Sequence, residues 1–176
     1  MASSISTRTG DTGETGFLYG QRVPKTHPQI EAVGAFDELN AAIGLAKAAA
    51  PASPRRAALE RIQHELIALM GELACAESDA ERYASSKFPK IDQAAVDRLD
   101  AEVAALEAAN LKFDGWATPG ATAPGAALDV ARTVARRAER RLHALPAAGR
   151  SVRPVVAAYV NRAADLLWLL AREAEN

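Results

Sequence analysis

Apolar residues recur at helical spacing in five stretches of this chain. Phe36, Leu39, Ile43 and Ala46 step by three, four and three, which predicts a helix from Gln29 to about Ala50, ended by Pro51. Ser53 followed by Pro54 has the form of an N-cap with proline at the first helical position. It opens a second helix in which Leu59, Ile62, Leu66, Leu69 and Leu73 alternate three and four apart. Asp92 is placed to cap a third helix with Val96, Leu99, Val103 and Leu106 as its buried seam. A fourth helix is expected over about Ala126–Leu145 and a fifth over about Pro154–Glu173, parted by Pro146-Ala147-Ala148-Gly149. Glu77–Lys90 reads as a connection. Asn110–Gly125 reads as a loop, because Gly115, Pro119, Gly120, Pro124 and Gly125 break a helix, while Phe113 and Trp116 are apolar side chains inside it that need a pocket.

Ahead of these stretches the chain is polar and rich in Thr and Gly, with no sustained period of either kind. Residues 1–28 are therefore expected to form a loop arm, and residues 29–176 an all-α, five-helix up-and-down bundle, together one domain. Composition supports that frame. The 176 residues are 49% hydrophobic and 24% charged, enough to build a core, and aromatics are only 5%. The formal charge of −1 argues against a bulk-basic nucleic-acid binder. No apolar run reaches the roughly 20 residues that span a bilayer, and Met1–Thr9 lacks a signal-peptide core, so a cytoplasmic protein is expected. Cys75 is the single cysteine and His27, His64 and His143 lack ligand spacing, so no metal site built from side chains is expected.

Four segments carry candidate chemistry. In Thr7-Arg8-Thr9-Gly10-Asp11-Thr12-Gly13-Glu14-Thr15-Gly16 the glycines permit close backbone approach, and hydroxyls and free amides suit phosphate oxygens; Lys25 adds a point charge. The alternative is a plain N-terminal arm. Arg132, Arg136 and Arg140 stack on one face of the fourth helix, with Asp129 a turn before and Glu139 beside them. Like charges at that spacing repel, so the stripe calls for acidic side chains, a neighbouring subunit or a polyphosphate. Asn161 and Asp165 share a face of the fifth helix, and Asp37 and Asn40 lie one turn apart on the first.

Taken in order, Thr-Arg-Thr-Gly-Asp, Arg22-Val23 with Lys25, Asp37-Glu38-Leu39-Asn40, Ala131-Arg132-Thr133 through Arg136-Arg137-Ala138-Glu139-Arg140, and Asn161-Arg162 resemble the PduO-type ATP:cob(I)alamin adenosyltransferase family, from Thr7 to about Arg172. The resemblance implies a homotrimer with active sites between subunits and transfer of the 5′-deoxyadenosyl group of ATP to the cobalt of cob(I)alamin, giving adenosylcobalamin and triphosphate. It implies that Thr7, Arg8, Thr9, Gly10, Thr15, Gly16 and Lys25 wrap the triphosphate with Mg²⁺ carried on the phosphates, and that Arg136, Arg137, Glu139, Arg140 and Asn161 complete the ATP site. It further implies that Asp37 pairs with Arg132 of a neighbouring subunit, and that Trp116 and Trp168 face the corrinoid. Trp116, counted back from Arg132 through Pro119-Gly120, stands where the family places an aromatic that displaces the lower axial cobalt ligand. A reductase and an adenosylcobalamin-dependent acceptor enzyme are the implied partners.

The chain departs from the family pattern at several points. Tryptophan replaces the usual phenylalanine at 116, the expected helix-five aromatic is Trp168, Gln29 stands in place of a common arginine, and Asp129 in place of a common histidine. Leu-Pro-Gly-Gly becomes Thr118-Pro119-Gly120-Ala121, and the sequence ends at Asn176, before a tail that closes over the corrinoid in some members. A different class, a non-catalytic ATP- or corrinoid-binding trimer that senses or delivers cofactor, uses the same features. A purely structural helical assembly does not need the Gly/Thr-rich arm.

Overall fold

The first helix, α1 (Pro28–Ala49), opens one residue before its expected start because His27 caps it: Nδ1 accepts from the Gln29 amide at 3.2 Å, and Pro28 occupies the first turn where its missing N–H is no loss. The computed structural model describes residues 6, 8–50, 52–109, 111 and 116–176. The predicted roles of Thr7 and of Phe113 fall outside the described residues. Gln29 is buried and donates to the carbonyls of Leu73 at 2.9 Å and Cys75 at 3.0 Å. It thereby joins the start of α1 to the end of α2 (Arg56–Leu73).

α2 begins later than the Ser-Pro signal predicts. Ser53 Oγ accepts from the Arg55 amide and Ser53 O from the Arg56 amide, both at 3.1 Å, so these residues form a turn. The connection after α2 holds a short helix, α3 (Ala80–Ala84), in which Tyr83 is buried, stacks on Phe88 and points its hydroxyl between the carbonyls of Ala68 and Pro89. Burial pushes the Tyr83 phenol up to about 12. Asp92 caps α4 (Gln93–Ala108) as expected, accepting from the Ala95 amide at 2.9 Å.

α5 (Ala123–Ala144) starts three residues before its expected position, because Thr122 Oγ1 caps the Gly125 amide and Pro124, read as a breaker, sits in the first turn. Gly149, with φ of +80°, closes the turn that leads to α6 (Pro154–Glu173). The core lies where α1, α5 and α6 meet. Ala131, Ala135 and Ala138 are fully buried and let α5 approach Phe36, Leu39 and Ile43 of α1 and Ala163, Ala164 and Leu167 of α6. α2 flanks α1 and α4 flanks α6.

The arm is not wholly loop. Glu14–Gly16 (β1) and Arg22–Pro24 (β2) pair antiparallel with Thr15 opposite Val23. Gly20, at φ of +97°, donates to Phe17 O, and Phe17 donates to Gln21 O to close the hairpin. Leu18 N–H bonds Ala74 O at 2.8 Å and buried Phe17 meets His27 edge-on, which docks the hairpin at the junction of α1 and α2. Three-residue strands are too short to show alternation, which is why the sequence does not announce them. The architecture is mostly helical with this small sheet, and six α-helices stand among the described residues where five are expected; α3 is the addition.

Candidate functional site

Helical spacing sets Arg132, Arg136 and Arg140 on one side of α5, and Arg136 among them reaches Asn161 and Asp165 of α6. Arg136 is the hub. Its Nη1 donates to Glu139 Oε2 at 2.9 Å and Asn161 Oδ1 at 2.6 Å, and its Nη2 to Asp165 Oδ1 at 2.5 Å. Burial works against the charged guanidinium, but the Glu139 hydrogen bond and the Glu139 and Asp165 charges outweigh it, so its pKa is raised. The fork is held by these acceptors and remains partly open to solvent.

The stripe is not an unpaired row of cations. Arg132 Nε donates to Asp129 at 3.1 Å, Arg140 Nη1 to the Arg136 carbonyl at 3.0 Å, and Arg137 to Glu38 of α1. Arg162 bridges Asp100 of α4 and, at 3.4 Å, Asp165. Beside these groups a cavity of about 340 Å³ is lined by Arg132, Arg136, Val103, Glu107, Trp168 and Leu169. Its lining mixes arginines (Arg162 included), the carboxylates of Glu107 and Asp165, and the indole of Trp168 with aliphatic neighbours.

The arm residues form a second cluster. Arg8 takes a left-handed backbone (φ +58°), Arg22 donates to Thr9 O at 2.8 Å, and the Lys25 amide bonds Gly13 O at 2.9 Å. Lys25 Nζ lies 3.1 Å from where a Cβ at Gly10 would stand, so the glycine is what lets the ammonium fold over the loop. Thr15 and Gly16 lie in β1.

The structure thus brings Arg136, Glu139 and Asn161 into direct contact, sets Arg132 and Trp168 on one cavity, and leaves Arg137 and Arg140 alongside. Asp37 is exposed on α1 without an ion-pair partner among the described residues, and Trp116 is 98% exposed, away from the Trp168 cavity. Sequence spacing already set Asp165 beside Asn161. It did not reveal that Asp129 is buried and also accepts from Arg172 of α6, since a pairing across 43 residues carries no periodic signal. No group of three His, Cys, Asp or Glu side chains gathers to hold a metal among the described residues.

Residues 5–174 match the family model described as cobalamin adenosyltransferase. The chain is 44% identical over 176 residues to the corrinoid adenosyltransferase PduO of Salmonella typhimurium, an alignment covering 98% of this chain and 50% of that protein. It therefore spans about half the length of that relative. A cobalamin adenosyltransferase of Cupriavidus metallidurans is 42% identical, with 97% of this chain and 87% of that one covered. Among solved structures, a variant PduO-type ATP:corrinoid adenosyltransferase from Lactobacillus reuteri, complexed with cobalamin and ATP, superposes with a TM-score of 0.85 at 31% identity, covering 98% of this chain and 93% of that one. A matched family model over nearly the whole chain, relatives above 40% identity and a shared fold agree with the arginine hub and its cavity: the chain belongs to the cobalamin adenosyltransferase family.

Proposed function

We propose that this chain transfers the 5′-deoxyadenosyl group of ATP to the cobalt of cob(I)alamin, with triphosphate as leaving group. The observation that carries the reading is the Arg136 fork, held by three acceptors on a cavity that Trp168 also lines. In the reaction the electron pair of cobalt(I) forms the Co–C5′ bond as the C5′–O bond of ATP breaks. No proton is abstracted, so the site needs no general base; its side chains must orient the two reactants, neutralise the leaving triphosphate and exclude water.

The residues divide that work. Arg136, Arg137 and Arg140, with Arg8, Thr9, Gly10, Thr15, Gly16 and Lys25 of the arm and Thr7 outside the described residues, hold the triphosphate and the Mg²⁺ it carries. Glu139 and Asn161 orient Arg136 and the nucleotide. Trp168 and Trp116 supply apolar contact to the corrinoid. Asp37 meets Arg132 across a subunit boundary in a homotrimer, which gives the exposed Asp37 a partner and brings the arm of one chain to the hub of the next. The arm (1–28) and helical bundle (29–176) act as one domain, served by a reductase and an adenosylcobalamin-dependent acceptor enzyme. The test is an anaerobic spectroscopic assay with Mg-ATP and chemically reduced cob(I)alamin: loss of the cobalt(I) band with formation of a photolabile product is expected, and ATP binding without turnover sinks the reading.

A further inference from the structure

Arg172 is among the largest fully buried side chains of the molecule, 2% exposed near the end of α6, and the reaction outlined above gives it no task. It donates to Asp129 of α5, and its Nη1 lies 3.1 Å from Glu175 Oε2 in the turn after α6. Asp129, itself 4% exposed, accepts Arg132 on its other oxygen. The Arg172 guanidinium also lies 5.8 Å from the centre of the Trp168 ring, within cation–π range. Arg132 and Trp168 both line the 340 Å³ cavity, so two of its lining side chains, one cationic and one aromatic, rest on one buried guanidinium.

We propose that Arg172 is a positioning residue for the corrinoid side of the site, fixing Arg132 through Asp129 and Trp168 by direct contact. This rests on the adenosyltransferase reading, in which Trp168 faces that substrate and Arg132, on the same cavity, meets Asp37 of the next subunit. A buried arginine with two carboxylates costs much desolvation, and apolar replacements of similar volume often match or exceed the stability of such pairs, so stability alone does not call for it. Geometry does: the planar fork joins two carboxylates and an indole at fixed angles, which no aliphatic side chain reproduces. Arg172→Met alone leaves Asp129 buried with one partner fewer. The informative variant is therefore the double change Asp129→Leu with Arg172→Met, which removes the buried pair together and leaves only the Glu175 carboxylate, in the turn after α6, without its arginine.

The double variant is expected to keep a melting temperature near that of the parent while the KM for cobalamin rises about tenfold and the KM for ATP stays within about twofold. Arg172→Lys, which keeps one charged link to Asp129, is the companion that folds if the double variant does not, and it should show a smaller rise in the same KM. A readout without turnover comes from a Trp116→Phe background, in which Trp168 is the sole tryptophan: acrylamide quenching should rise about twofold on Arg172→Met and partly return on Arg172→Lys. Parent-like quenching and parent-like cobalamin KM in a folded variant would overturn the proposal, as would a parallel rise in both KM values that tracks lost melting temperature. If the unsubstituted chain binds ATP yet fails to turn over, the adenosyltransferase reading falls by itself, and the quenching series still decides whether Arg172 seats Trp168.

Discussion

Arg136 spends its hydrogen-bonding capacity on Glu139, Asn161 and Asp165, two of which are carboxylates. Under the proposed function a triphosphate displaces or shares those acceptors, and the side chain matters mostly to the reaction. Replacing it by alanine should lower kcat/KM for ATP by about 10²- to 10³-fold, the usual scale for deleting one donor to a developing anion. Because the side chain is 36% exposed, the stability cost should stay below about 1 kcal/mol, as is usual for solvent-screened ion pairs. Steady-state kinetics with prereduced cob(I)alamin beside a thermal melt separates the two, and unchanged kinetics would remove Arg136 from the site. Trp116 is the converse case, an indole with almost no contact in the free chain. Its change to alanine should move stability by less than about 0.5 kcal/mol. The loss of activity should be greater when cob(II)alamin must first be reduced than with prereduced substrate, and equal losses would argue against a lower-face role.

The start of α5 shows how one helix end is fixed by another. A Cβ on Gly125 would stand 2.9 Å from Glu175 Cγ and 3.0 Å from Thr122 Oγ1, the cap itself, while Thr122 Oγ1 also donates to Ala174 O. Alanine ordinarily improves a helix by up to about 1 kcal/mol over glycine. Here overpacking by about 1–3 kcal/mol opposes that gain, so Gly125→Ala should lower the urea midpoint, and a raised midpoint would show that the turn after α6 yields freely. This junction was not legible in the sequence: Pro124 and Gly125 read as breakers, since only the proximity of residues 122 and 174 tells that a cap waits upstream. Periodic stretches were legible. The seam of α4, its Asp92 cap and the whole of α6 follow from local spacing, whereas the hairpin and α3 are too short for any period to register. The hub was half legible, because Arg136, Asn161 and Asp165 each lie on a readable helix face while their mutual contact is tertiary. Nothing in its local spacing sets Arg172 apart from any cation in a last turn, because its burial is a tertiary property.

At the scale of the whole molecule, charge pairs join helix to helix and also tie the connection after α2 to the segment before α6. Glu77 accepts the Ser151 hydroxyl at 2.5 Å, the Ser151 amide at 3.0 Å and Arg150 Nη1 at 2.9 Å, and these bonds, Ser151 foremost, hold its carboxyl below the usual range. A lowered folded-state pKa contributes stability that is present above the unfolded value of about 4.3 and is lost as pH falls through the folded value. Glu77→Gln should therefore melt below the parent at pH 7, and the gap should close as pH falls below the usual carboxylate range and through the folded value; a gap that persists once the carboxyl is protonated would mean lost shape rather than lost charge. The assembly is open to a sharper test. If Asp37 of one subunit and Arg132 of the next complete a site in a trimer of three 18.6 kDa chains, Asp37→Ala and Arg132→Ala chains should each be impaired alone. Refolded together at equal amounts, they produce boundaries at which the intact Asp37 of one chain meets the intact Arg132 of the other, about one site in four for random mixing in a cyclic assembly. Activity should return to about a quarter of the parent's at a sedimenting mass near three chains. A site contained within one chain would gain nothing from mixing, because every copy would still carry its own lesion.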